Sequence, residues 1–271
     1  MHRFSTFTKL QEMAAVNISD LDSEFLTRAL KVTSFNLSSA DFQTLKYKAE
    51  IQHLFHLHFF KKFDLSKTIS GDITVNKGNA IIKELKQMNS KAFNALHFYN
   101  LKGVGPGEAT LFFICDKAKL GGGGSAGVDI MIGGKKYEVK AVTYSKATNS
   151  VAGFKLGGTV PLGDLVTKAV ALKNSLGLTT AGKGQAEVNK TQIEEIKKKY
   201  PKEWNEIETK YGRVAQAYFG NTDVIFINNN NTSGRLSSNG GGEILAIKKV
   251  RFNDIKIEQI TQGTIKPRVQ L

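Results

Sequence analysis

The chain has 271 residues, 38 Lys+Arg against 24 Asp+Glu, a formal net charge of +14 and a sequence pI near 9.7. At 41% hydrophobic content it can bury a sizeable core as one large domain or two small ones. A single cysteine, Cys115, excludes an internal disulfide framework and a cysteine-based zinc knuckle, and no apolar run approaches the ~18 residues that span a membrane.

The basic excess is nearly all lysine. It fits nonspecific attraction to nucleic acid or an anionic surface, and lysine favours phosphate contacts over direct reading of base edges. An AT-rich gene would enrich Lys, Asn, Ile and Phe in the same way.

In chain order, the first ninety or so residues read as helical. Ser19-Asp20-Leu21-Asp22 caps a short helix through Leu30, and Ser39-Ala40-Asp41 precedes a longer one in which Phe42, Leu45, Ile51, Leu54, Phe55 and Phe59 recur at helical spacing. His53, His56 and His58 lie in that helix, but their spacing does not put three ligands on one face. Asn79 to Met88 reads as a further helix with Lys83, Lys86 and Gln87 on its polar side. Gly103-Val104-Gly105-Pro106-Gly107-Glu108 then starts a helix, with Glu108 opening the apolar run Ala109 to Cys115, where the cysteine is expected to be a buried apolar residue.

Gly121 to Gly124 with Ser125 reads as a flexible loop ahead of the most informative stretch, Gly127 to Lys140. If Gly133-Gly134 forms a two-residue primed turn, Ile132 pairs with Lys135 and Asp129 falls opposite Glu138. Alternation places Lys140 on the face of the two carboxylates, with Val128, Ile130, Ile132, Tyr137 and Val139 on the other. Opposed like charges destabilise a strand pair by about 0.2–1 kcal/mol, and a bound cation reverses that sign.

Asp129, Glu138, Val139 and Lys140 form an Asp…Glu-x-Lys arrangement that resembles the PD-(D/E)XK, or restriction-endonuclease-like, nuclease superfamily. The resemblance covers roughly Gly103 to Tyr144 and extends to the rest by element order. Val128 stands where many members carry proline, and the spacer between Asp129 and Glu138 is short. The resemblance implies that Asp129, Glu138 and the Val139 carbonyl hold Mg²⁺, for which Mn²⁺ substitutes, and that Glu108 supplies a third carboxylate. It implies that Lys140 orients or activates the attacking water. Hard Mg²⁺ takes oxygen ligands and keeps several waters, so one or two carboxylates suffice, and lysine suits a point-charge role.

Beyond the hairpin the strand is expected to run through Thr143, with a third strand from Val151 to Leu156. Pro161 to Ser175, Thr191 to Tyr200 and Pro201 to Tyr218 read as helices, and Thr222 to Ile227 as a strand covered on both faces. Asn228 to Gly242 is an Asn/Ser/Gly loop. Ile244 to Ile247, then Lys248, Lys249 and Arg251, then Ile255 to Ile257, fit an edge strand protected by lysine or a DNA-facing strip. Lys146, Lys155, Lys168 and Lys173 follow the hairpin and are the candidate phosphate contacts.

The expected fold is α/β, a restriction-endonuclease-like αβββαβ core with a mixed central sheet plus an N-terminal helical region, divided as 1–92 and 93–271. The expected function is a Mg²⁺-dependent deoxyribonuclease, endonuclease before exonuclease. The alternatives are a non-catalytic basic DNA-binding or virion structural protein, and a helical scaffold for protein partners. DNA is the expected partner. A homodimer is compatible because cutting both strands needs two sites. No phosphate-cradling loop supports a nucleotide cofactor, and nothing resembles a secretory signal or membrane span. The expected location is therefore cytoplasmic, the host cytoplasm for a phage-encoded chain.

Overall fold

The computed structural model describes residues 60, 63–68, 72–96, 106–115, 118–121, 128–156, 162–178, 185–229, 241–261 and 264–271. The two helices expected before residue 60 and the three histidines lie outside these residues. Helices α1 (Leu65–Thr68), α2 (Val75–Leu96) and α3 (Pro106–Ile114) precede strands β1 (Lys119–Leu120), β2 (Ile130–Ile132), β3 (Lys135–Ser145) and β4 (Ser150–Ala152). Helices α4 (Gly163–Ser175), α5 (Lys190–Lys199) and α6 (Pro201–Phe219) follow, then strands β5 (Asp223–Asn229), β6 (Gly241–Lys248), β7 (Ile255–Thr261) and β8 (Thr264–Gln270). The fold is mixed α/β, with antiparallel sheet throughout the β1–β4 run and the β4–β8–β7 run.

The chain divides into two compact units interleaved in sequence. The first comprises the described residues of Met1–Gly124 with Val128–Lys140 and Ile225–Lys248, and the second comprises those of Ala141–Val224 and Lys249–Leu271. A division after residue 92 would cut through α2, which is continuous in sequence from Val75 to Leu96.

In the first unit, β2 pairs with β1 and β3, and β5 pairs with β3 and β6. Val224 to Ile227 are at most 1% exposed, the expected two-sided burial of β5. Helix α2 packs on β6 so closely that a Cβ at Gly78 would meet the Leu245 carbonyl oxygen. The helical reading of 79–88 stops where Asn89 leaves helical geometry (φ −162°, ψ 98°), so the continuation to Leu96 is a second helical piece across a kink. Phe60, Phe63, Leu85, Phe113, Ile132 and Ile247 belong to one buried cluster, and Cys115 lies in it at 1% exposure, with burial first and Asp64 second pushing its thiol pKa up.

Strand β6 pairs with β5 alone among the strands, the edge position expected for 244–247. Its protection differs from the expected lysine: Ile244, Leu245, Ala246 and Ile247 are all buried, and Ile73 bridges Ile247 on the other edge through hydrogen bonds of 2.6 and 3.0 Å.

In the second unit, β3 from Ala141 pairs with β4, β4 with β8, and β8 with β7. Helices α5 and α6 pack on β7, and α6 also packs on α4 and α5. Pro201 takes the first turn of α6, and Asn189 with Gln192 forms a reciprocal capping box at α5. Buried Trp204, Ile207, Tyr211, Ala215 and Phe219 form the inner stripe of α6. Strand β4 ends earlier than expected because Gly153 turns with φ +87°.

Candidate active site

Every residue of the candidate site belongs to the first unit. Gly133 and Gly134 have φ of +57° and +80°, the positive pair that a primed two-residue turn requires. The observed register is Ile132↔Lys135, Met131↔Lys136 and Ile130↔Tyr137, as expected. One step further, the Asp129 N–H donates to the Tyr137 carbonyl at 2.9 Å, and the Gly121 N–H donates to the Asp129 carbonyl at 2.7 Å. The backbone of Asp129 is thus held from both sides just beyond the paired register, which ends at Ile130↔Tyr137.

Glu138 is 1% exposed, buried to a degree rare for a carboxylate. The Lys140 ammonium forms an ion pair with Glu138 Oε1 and lies 4.0 Å from Asp129 Oδ2. Asp129 Oδ2 also accepts the Val139 N–H at 2.8 Å, a bond that sequence reasoning missed although the hairpin register contains it. Burial raises the Asp129 pKa, the Val139 N–H opposes that, Glu138 raises it further and Lys140 lowers it. The site therefore concentrates negative charge and partly offsets it with one local cation.

Helix α3 begins at Pro106, so Glu108 falls in its first turn, where an acidic residue also complements the helix dipole. Gly107 fixes how the helix approaches: a Cβ there would stand 2.6 Å from Ile227 Cδ1 and 3.4 Å from Val139 Cγ1. The first turn of α3 therefore rests against the Val139 side chain. Among the described residues no group of three or more His, Cys, Asp or Glu side chains is placed to hold one metal ion.

The donor set at the hairpin fits a hard divalent cation. Two carboxylates and the Val139 carbonyl are all oxygen ligands, and Mg²⁺ needs few protein ligands when waters and substrate phosphate complete its shell.

Of the four candidate phosphate contacts, Lys146, Lys155 and Lys168 are exposed in the second unit. Lys173 is a correction. It is 0% exposed, and its ammonium donates to the Gln185 and Glu187 carbonyls at 2.8 and 2.9 Å. A cation locked inside on backbone oxygens does not reach a phosphate, and helical spacing alone did not distinguish the inner face of α4 from its outer one.

Compared with protein-family models, curated proteins and solved structures, the chain matches none.

Proposed function

We propose that this chain is a metal-dependent deoxyribonuclease of the PD-(D/E)XK type, with a restriction-endonuclease-like core built around the β2–β3 hairpin. One observation carries the reading: the Lys140 ammonium pairs with buried Glu138 and lies 4.0 Å from Asp129, so the two carboxylates are gathered around one cation. A strand pair gains nothing in stability from neighbouring carboxylates, and burying one of them adds a desolvation cost. Phosphodiester hydrolysis gives the arrangement a use.

Asp129, Glu138 and the Val139 carbonyl would hold Mg²⁺ or Mn²⁺. When bound, the ion supplies Lewis acidity toward a phosphoryl oxygen and lowers the pKa of coordinated water. The chain's own contribution is positional. The Val139 N–H fixes Asp129, and the tight turn fixes Glu138 relative to it. Lys140, partly exposed and held beside both carboxylates, would orient a water and offset charge on the scissile phosphate. Glu108 acts from the α3 side as a positioning residue.

The test is to incubate the purified chain with supercoiled, linear and single-stranded DNA in Mg²⁺, Mn²⁺ or EDTA. Metal-dependent products that vanish in Asp129→Ala and Glu138→Ala support the proposal, and cleavage persisting in both variants would falsify it.

One observation favours a second reading, a non-catalytic basic DNA-binding or virion structural protein. Lys140 already engages both carboxylates, so the hairpin is an ion triad that needs no metal. Salt-sensitive DNA binding with no metal dependence and no products selects that reading.

A further inference from the structure

The sheet of the second unit is asymmetric. The pairs Ile255↔Val269, Ile257↔Pro267 and Ile260↔Ile265 are buried on the face where α5 and α6 pack on β7. The alternate pairs Lys256↔Arg268, Gln259↔Lys266 and Thr261↔Thr264 point the other way. The Ser150↔Gln270 and Ser145↔Ser150 pairings carry the same parity through β4 to β3, where Thr143 and Ser145 are exposed.

This second face holds three cations, with hydroxyls and an amide between them. Glu258, the extra residue of the bulge between Ile257 and Gln259, pairs with Arg268. Lys256 also lies 4.0 Å from Glu208 at the strand edge, whereas among the described residues Lys266 has no ion-pair partner. β8 pairs with β4 only at Val269 and Gln270, so edge protection accounts for a cation on β7 or on the rest of β8, but it does not require that Lys256, Lys266 and Arg268 share one face.

We propose that this polar face, with Lys256, Gln270, Thr143 and Ser145 exposed and Lys266 and Arg268 half-buried, is a docking surface for the phosphate backbone of DNA. Backbone contacts are made by Lys and Arg together with Ser, Thr and Gln donors, the side-chain types that this face carries. The inference takes the identity of its partner from the nuclease reading and its location from the sheet alone.

The test is fluorescence anisotropy of the full chain with a short labelled DNA duplex in EDTA across a salt series. K256S/K266S/R268S is expected to bind at least about tenfold more weakly at ~0.1 M salt and to flatten the log–log salt slope by about 2–3, since each phosphate contact contributes ~0.9. K190S/K199S/K202S removes equal charge from exposed positions on α5 and α6 and is expected to change binding little. T143E/S145E adds negative charge to the face and is expected to weaken binding without deleting a cation. Equal losses in the two triple variants, an unchanged slope in the face variant, or no duplex binding by the parent chain would each overturn the proposal. Parallel Mg²⁺ cleavage assays separate the two claims. A parent chain that cuts while the face variant binds normally refutes the face alone. A chain that does not cut but loses binding in the face variant refutes the nuclease alone.

Discussion

The β2–β3 and β7–β8 hairpins are both antiparallel, and both bury alternate apolar residues, yet they treat charge in opposite ways. In β7–β8 the inward pairs are Ile, Val and Pro while Lys256, Lys266 and Arg268 point away from them. In β2–β3 Glu138 is 1% exposed although alternation puts it on the face away from Ile130, Ile132 and Tyr137, and Lys140 is close enough to engage both it and Asp129. The β7–β8 charges cost folding little, because they point away from the buried pairs. The β2–β3 pattern lowers stability locally, and that cost is what directs attention to it, because departures from local consistency concentrate at functional sites.

The largest expected effect follows from that contrast. Glu138→Ala and Asp129→Ala are each expected to reduce DNA cleavage at least about a hundredfold, on the scale of losing one preorganised charge-stabilising group. Circular dichroism and duplex binding should stay near those of the parent chain. A variant that loses cleavage together with its fold would leave the β2–β3 charges as structural as those of β7–β8.

Lys140→Ala sharpens the comparison through stability. Removing the cation leaves Glu138 buried beside Asp129, and breaking such a pair costs about 3 kcal/mol. Thermal melts should show that loss, and millimolar Mg²⁺ should restore part of it in Lys140→Ala while shifting the parent chain less. No recovery with metal would favour the self-contained ion triad. By contrast Lys266→Ser, on the polar face of β8, is expected to change stability by no more than ~0.5 kcal/mol.

Lys173→Met falls between these. It removes the donor to two buried carbonyls while keeping side-chain length, at an expected cost of about 2 kcal/mol in denaturant unfolding, and DNA affinity should not change.

The hairpin was legible in the sequence because its determinants are local. Two glycines fix the turn, the turn fixes the register, and period-two alternation then assigns each side chain a face. Helices α3, α5 and α6 were legible through Pro106, the alternating periodicity and Pro201. Strand β8 was missed because Pro267 argues against a paired strand, and only the neighbouring bulge at Glu258 shows how it is accommodated opposite Ile257. The burial of Lys173 and of Ile244 to Ile247 depends on what packs against them from distant sequence, which no local pattern encodes. The placement of Glu108 depends in the same way on Gly107 seating the helix against Ile227 and Val139.

The smallest expected effect is a pH dependence confined to β2–β3. Burial, before any other cause, raises the Asp129 pKa in the folded chain above its ordinary value of 3.8. Between the unfolded and folded values the native state therefore holds more proton than the unfolded state, so this group makes stability fall as pH rises through the window and leaves the native state less stable above it. Asp129→Asn cannot ionise, and its side-chain oxygen can still accept the Val139 N–H. Its stability should exceed that of the parent chain at neutral pH, and the difference should shrink as pH drops through the carboxylate range. Urea unfolding of both chains across that range measures the difference directly. Mg²⁺ should narrow it at neutral pH by stabilising the ionised parent, whereas a gap independent of both pH and metal would mean that the Asp129 charge is already balanced by Lys140, as Glu258 balances Arg268 in β7–β8.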